Sequence, residues 1–347
     1  GGVAMSAIGA CAGFGAICGS SLATAATMGQ VALPELKRYG YPGSLSTGAL
    51  AAGGTLGILI PPSVILVIYA ILAEQNIEKL FVAALIPGIL AALGYVLAIS
   101  IWVRVSPNSA AVKPRVPWGE RMVALLSVWP VLTIFLLVVG GIYLGVFTPT
   151  EAAAVGAAGT GGAALASGQM SWAKLVQAIL ATASASAMIY LIILGAGFYN
   201  NFLALTQLPQ TASVWVAEQG FSPWLVLAAV LVMYLVFGCI MDSLSMVLLT
   251  VPIIFPIMVV LDFGMSANDF GLWFGILVLI VVEVGLITPP VGMNLFIINS
   301  MDKDTPIGQT YKGALPFVLT DMIRVVILAS FPAITLWLVW FIDAWVG

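Results

Sequence analysis

Two short stretches, GGTLGILIPPS at 53–63 and VGLITPPVGMN at 284–294, set a glycine, three residues and a double proline in the middle of hydrophobic sequence. Proline has no amide to donate, and glycine inside a helix costs roughly 1 kcal/mol against alanine. A helix broken there frees carbonyls and amides, which a bilayer tolerates only where they line a polar cavity or hold an ion. Unwound carbonyls and half-helix C-termini suit a hard cation such as Na⁺, whereas half-helix N-termini suit a carboxylate. Two further interruptions, CGSS at 18–21 and GCIMDS at 238–243, bring hydroxyls and one carboxylate into similar surroundings. That carboxylate, Asp242, reads either as an ion or substrate-site residue or as a buried cap on the helix that follows. Glu283, just before Gly285, either contacts an ion site or pairs with a basic residue elsewhere. Asn294 and Asn299 offer amides to a substrate carboxylate, and Asp321 with Arg324, three positions apart, reads as a structural pair. Ser20, Ser21 and Thr24 have a plainer alternative as small residues in helix packing.

Composition narrows the chemistry. Of 347 residues 62% are hydrophobic and 7% charged, with no histidine, and mean hydropathy is +1.15; soluble domains carry about 25% charged residues. The chain reads as an integral membrane protein. Its net charge of −3 argues against a nucleic-acid partner. Cys11, Cys18 and Cys239 lack CxxC spacing, so neither a disulfide framework nor a zinc site is indicated. GFGAICG at 13–19 lacks GxGxxG spacing and a preceding strand, and there is no Walker lysine pattern. Without histidine, a metal-ligand cluster or a nucleophile elbow, an enzyme is not expected. The N-terminus carries no basic region or cleavage-like site, so no signal peptide is expected, and the missing initiator Met suggests a start inside a longer chain.

The elements that must position these residues are apolar stretches at about 3–33, 44–73, 80–103, 121–147, 149–167, 175–205, 223–261, 270–300 and 313–346. About 20 residues cross a bilayer as helix. The interrupted stretches at 3–33 and 223–261 fit hairpins that enter and return through one face, rather than straight spans. With the first hairpin cytoplasmic and the second external, Lys37, Arg38, Arg104, Lys113, Arg115, Arg121, Lys174, Lys303 and Lys312 fall on the cytoplasmic side, as the positive-inside rule requires. The connections around Glu74, 145–150, 206–222 and Asp262 then lie outside. Trp118, Trp129, Trp215, Trp224 and Tyr143 read as interfacial anchors. The two halves also match: Gly57, Pro61 and Pro62 recur as Gly285, Pro289 and Pro290 at an offset of 228, and Pro87 recurs as Pro316. Gly19 ahead of one interruption pairs with Gly238 at the other. The expected fold is therefore all-α, with inverted repeats, two re-entrant helical hairpins and two discontinuous helices, an arrangement of secondary transporters.

FGAICGSSLATAATMGQVALPELKRYGY, GGTLGILIPPSVILVIYAILAEQNIEKLFVAALIPGIL, GVFTPTEAAAV and GLITPPVGMNLFIINS closely resemble the large membrane (M) subunit of tripartite ATP-independent periplasmic (TRAP) transporters, over essentially the whole chain. The resemblance implies the permease of a Na⁺-coupled symporter in a bacterial inner membrane. It would import an organic acid, such as a C4-dicarboxylate or sialic acid, delivered by a periplasmic substrate-binding protein. A small (Q) membrane subunit, separate or fused, would brace the scaffold, and no organic cofactor is implied. An elevator is expected, with 1–79 and 223–312 as transport domain, 80–174 and 313–347 as scaffold, the last a single C-terminal helix, and 175–222 as a connecting helix with a periplasmic loop. Members of the family begin with helices ahead of residue 1, so part of the scaffold would lie outside this sequence. Carried over, one Na⁺ site lies among Gly19, Ser20, Ser21, Gly54, Thr55 and Gly57, and a second among Asp242, Ser243, Gly285, Thr288 and Pro290. Thr24, Pro61, Pro62, Gly292 and Asn294 are substrate candidates. The alternative is a receptor-independent Na⁺- or H⁺-coupled carboxylate carrier of related architecture, and a channel is a third class.

Overall fold

The computed structural model describes residues 1–106, 117–168 and 170–346. The expected cytoplasmic residues Lys113 and Arg115 lie outside this set. Among the described residues the chain is helical without strands, and it divides into two compact units, Gly1–Ala111 with Leu203–Gly347, and Val112–Phe202. Four helices are long and apolar enough to cross a bilayer: Ile77–Val105, Trp172–Thr206, Ala267–Gly285 and Ile307–Ser330. Gly43–Leu59 and Val64–Leu72, bent by 47° at their junction, make a fifth if counted as one span. This is a multi-pass membrane protein.

The larger unit begins with a helical pair, α1 (Gly2–Cys18) and α2 (Ser21–Arg38). Its turn is set by Gly19, left-handed at φ 64°, and by Ser20, whose hydroxyl accepts from the Ala23 amide at 3.4 Å and caps α2. α3 (Gly43–Leu59) follows, and after Pro61, Pro62 and the cap Ser63 the chain resumes as α4 (Val64–Leu72). α5 (Ile77–Val105) starts at the cap Asn76, with Glu78 in its first turn where the helix dipole favours an acid. In the smaller unit lie α6 (Trp118–Ser127), α7 (Trp129–Tyr143), α8 (Pro149–Ala166) and most of α9 (Trp172–Thr206). The GVFTPTEAAAV motif makes the α8 start: Thr148 and Glu151 form a reciprocal capping box with Pro149 in the first turn.

The larger unit resumes with α10 (Leu208–Glu218), the second pair α11 (Pro223–Gly238) and α12 (Ser243–Val259), then α13 (Ala267–Gly285) and α14 (Met293–Met301) across the second break. α15 (Ile307–Ser330) and α16 (Pro332–Val346) end the chain. Three expectations are corrected. The connection at 206–222 holds the eleven-residue helix α10 rather than being a loop. The stretch 313–346 is two helices, not one, because Phe331 leaves helical geometry ahead of Pro332, which has no amide to continue α15. The stretch 121–147 is likewise split between α6 and α7.

The core runs along α3 and α13. α3 is buried continuously from Leu45 to Leu59, and α13 from Phe270 to Gly285. A helix apolar on every side belongs at the centre of a structure, and these two central helices are the ones that lead into the breaks. Small residues let neighbours approach them closely: a Cβ at Gly48 would collide with the Gly313 backbone of α15. Tyr69 of α4 donates to Gly271 O at 2.7 Å, and Trp273 donates to Leu328 O at 2.8 Å, tying α13 to both neighbours.

Candidate ion and substrate site

The first tip sits directly on the first break. A Cβ on Gly15 would collide with the Gly57 backbone, and one on Gly19 would come within 3.2 Å of Pro62 O. The face of α3 that carries Gly54 and Gly57 looks onto the first turn of α2. At Gly57 a Cβ would lie 2.5 Å from Thr24 Oγ1 and 2.9 Å from Ser20 O; at Gly54 it would lie 3.1 Å from Ser21 O and 3.1 Å from Asn294 Nδ2. Glycine at these two positions keeps backbone and hydroxyl oxygens within reach of each other. Two oxygens here are buried: Asn294 Oδ1, without a hydrogen-bond partner among the described residues, and Thr24 Oγ1, whose one neighbour of this kind is the soft Cys18 thiol. A buried oxygen left unsatisfied costs about 1–3 kcal/mol unless something supplies positive charge or a donor. Paired with the Ser20 and Ser21 carbonyls, they are the hard oxygen donors an alkali cation takes.

Not every expected residue faces this point. Thr55 looks away: its hydroxyl donates to Ala52 O at 2.6 Å and lies 2.9 Å from the Tyr95 hydroxyl of α5. At about 100° per residue, position 55 cannot share the face of 54 and 57. Asn294 is wholly buried; one N–H of its Nδ2 donates to Ala51 O at 3.2 Å, which leaves its second N–H and its carbonyl as the groups it could offer. Asn299 donates to Thr305 O at 2.7 Å and Thr310 Oγ1 at 3.0 Å, a structural role. Pro61 is buried in the first break and Pro62 half-buried beside the tip.

The second tip repeats the contact. A Cβ on Gly285 would lie 2.6 Å from Gly238 Cα, and the Gly292 amide donates to Cys239 O at 3.1 Å. Gly292 holds φ 63°, a conformation in which a side chain is strained, and so turns the chain into α14. Asp242 is half-buried and caps α12, accepting from the Ser245 amide at 3.0 Å. Thr288 donates to Val284 O at 2.6 Å. Pro290 is exposed, and its carbonyl accepts from Tyr311 at 2.9 Å, as does Val291 O at 2.9 Å.

Glu283 lies between the two tips. It is 1% exposed and makes no ion pair among the described residues. Its Oε2 accepts from Ser21 and its Oε1 accepts from Ser243 at 2.7 Å. Each serine is the first residue of its helix, so the carboxylate stands at two positive helix ends. A basic partner is therefore not what holds it; the buried carboxyl is met instead by two hydroxyls and two helix N-termini.

The profile of the family described as "Tripartite ATP-independent periplasmic transporter, DctM component" matches residues 1–334. The chain belongs to the DctM family. Similar relatives include the C4-dicarboxylate TRAP transporter large permease protein DctM of Pseudomonas aeruginosa, 36% identical over 97% of this chain and 77% of that protein. The isethionate TRAP transporter permease protein DctMQ of Oleidesulfovibrio alaskensis is 31% identical over 96% of this chain and 52% of its own length. The sialic acid TRAP transporter permease protein SiaT of Haemophilus influenzae is 31% identical over 94% and 52%. All three are named as transporter permeases, not enzymes. In this DctM chain the expected Asp321–Arg324 pair is present at 2.8 Å, and it extends into a buried chain: Tyr95 donates to Asp321 Oδ2 at 2.6 Å, and Arg324 donates to Pro87 O at 3.1 Å. Tyr95 and Tyr311 were missed in the sequence. Their one signal is a phenol in an apolar span, and nothing local says what it reaches.

Proposed function

We propose that this chain is the permease of a Na⁺-coupled secondary importer of an organic acid, in a bacterial inner membrane. It would work with a small membrane subunit, separate or fused, and a periplasmic binding protein that delivers the substrate. The observation that carries the reading is the first tip on its break, where the Ser20 and Ser21 carbonyls and the Thr24 hydroxyl crowd Gly54 and Gly57 and the Asn294 amide, with its carbonyl unpartnered among the described residues, stands beside Gly54. They suit Na⁺ because it needs several hard oxygens and no proton. Asp242, with Ser243 at the matching second tip, supports a second cation site. The relatives' names support an anionic substrate, C4-dicarboxylate first. The N-terminal end of α14 is the half-helix end that would favour its carboxylate, although the Gly292 and Asn294 backbone amides there already donate to Cys239 O and Leu286 O and would have to be released to it.

The two pairs are read as re-entrant hairpins of inverted repeats, moving with both breaks as an elevator. Thr55, Tyr95 and Asp321 are joined in series across α3, α5 and α15, so movement of the transport domain past the scaffold segments 80–174 and 313–347 would have to break that series. Orientation follows the basic connections, cytoplasmic at Lys37, Arg38, Lys303 and Lys312. Each Na⁺ entering down about 100 mV contributes about 2.3 kcal/mol. Two would leave import of a dianion electroneutral, so a voltage-driven cycle takes more Na⁺ than substrate charges.

The test is uptake of labelled C4-dicarboxylate, isethionate and sialic acid into proteoliposomes holding the complex, with and without an inward Na⁺ gradient and the binding protein. Uptake that needs both is expected. Uptake with neither, or with protons in place of Na⁺, would move the chain to a receptor-independent carrier.

A further inference from the structure

The two tips are far apart in sequence and are each built around their own break, yet one side chain touches both. Glu283 accepts from Ser21, 262 positions away, and from Ser243, 40 positions away, using a different carboxylate oxygen for each. The serines occupy equivalent places, the first residue of the second helix in each pair, directly after the capping residues Ser20 and Asp242. All three side chains are buried, with exposures of 1%, 5% and 1% for Ser21, Ser243 and Glu283. Glu283 is also held from behind: it lies on α13, buried throughout, two residues before the Gly285 that packs on the second tip. A shift of either serine therefore pulls on a group that the other serine shares.

We propose that Glu283 is a positioning residue that ties the two tips into one unit, so that closure of one sets the geometry of the other. Applied to the ions, which rests on the Na⁺ reading above, the link makes the two cation sites fill together rather than independently.

The experiment is hydrogen–deuterium exchange on the full complex in lipid nanodiscs, first in K⁺ alone, following peptides over 15–28 and 236–250. Ser21→Ala is expected to speed exchange in the first turn of α12 as well as in its own tip, and Ser243→Ala to speed exchange in the first turn of α2. About ten-fold is expected, the scale of a lost hydrogen bond to a charged group. Glu283→Asp, one methylene too short to span both serines, should loosen both tips while keeping the charge, and so stands in if a serine variant fails to fold. Ser300→Ala, whose hydroxyl is satisfied by Ile297 O within its own helix, should move neither. Effects confined to the mutated tip, with Glu283→Asp leaving one tip as in the wild type, would overturn the link. Na⁺ is then titrated. In the wild type both tips should gain protection at one midpoint, and in Glu283→Gln the midpoints should separate several-fold. Absence of any Na⁺ protection in the wild type would remove the Na⁺ reading, while the K⁺ measurement still decides whether Glu283 links the tips.

Discussion

Thr24 and Asn294 each present one buried oxygen, Thr24 with only the Cys18 thiol beside it and Asn294 Oδ1 with no partner among the described residues. Thr24→Val keeps the shape and removes the oxygen. Na⁺ half-activation of uptake should rise about ten-fold, and thermal stability without Na⁺ should change little, because only a weak bond to the Cys18 thiol is lost. An unchanged Na⁺ response would take Thr24 out of the site. Asp242 has two roles to separate, cap and ligand. Asparagine caps a helix as well as aspartate does, so Asp242→Asn should leave folding intact and weaken Na⁺ activation; equal activation in mutant and wild type would leave Asp242 as a cap alone. At this scale the sequence was informative about residue type and less so about direction. The Gly-x₃-Pro-Pro breaks and the serine tips were legible because glycine, proline and serine act through the backbone, which spacing reveals. The direction of the Thr55 hydroxyl, toward Ala52 O and Tyr95, was not legible because neighbours on a helix face different ways. The partner of Glu283 was hidden because it comes from two helices whose approach no local pattern encodes.

Helices here meet through glycine, and that fixes which substitutions an element can absorb. Gly285 has the Gly238 backbone within reach of any added Cβ, whereas Gly195 on α9 has nothing within 4 Å. Gly285→Ala should therefore cost at least the 1–3 kcal/mol of an overpacked core and abolish Na⁺ activation, while Gly195→Ala should be neutral or gain up to about 1 kcal/mol. Thermal unfolding of the purified complexes checks both, and equal melting temperatures would contradict the tip-on-break packing. The two Gly-x₃-Pro-Pro breaks and the glycines before each tip were legible from their spacing in the sequence. The stop at Phe331 and the helix at 208–218 were not, since an apolar run with one proline, or a polar segment near a membrane surface, reads equally well as a bent span or a loop.

Across the molecule, one junction joins the end of α2 to the turn after α14, with Lys37 and Asp304 reaching solvent and Asp302 buried. Lys37 contacts Asp302 at 2.5 Å and Asp304 at 2.9 Å, and Thr305 donates to Asp302 at 2.7 Å. Its bonds to Asp302 and Asp304 raise the Lys37 ammonium above its ordinary value. Burial works to raise the Asp302 carboxyl, but Lys37 and Thr305 outweigh it and hold it below the ordinary carboxylate value. A depressed carboxyl contributes stability above its unfolded value, near 3.9, and loses it as pH falls through the folded one. A raised lysine contributes below about 10.4 and loses it as pH rises further. Lys37→Met should therefore lower the melting temperature by a steady amount between about pH 5 and pH 9, with the gap closing in more acidic buffer. A gap that persists at pH 3 would assign the effect to packing of the lysine stem.

The contact between Ser21 and Glu283 also orders events during biosynthesis. Ribosomes add roughly 5–20 residues per second, so the 262 positions between them separate their emergence by roughly 13–50 seconds. For that interval the first tip is inserted without the carboxylate its serine will hold, and with a polar turn facing lipid or the insertion machinery. Nascent chains halted before residue 283 should leave that turn open to thiol-reactive probes at a cysteine placed at Ser20, and chains extended past the end of α14 should close it. The last third of the protein would then act as an intramolecular assembly factor for the first.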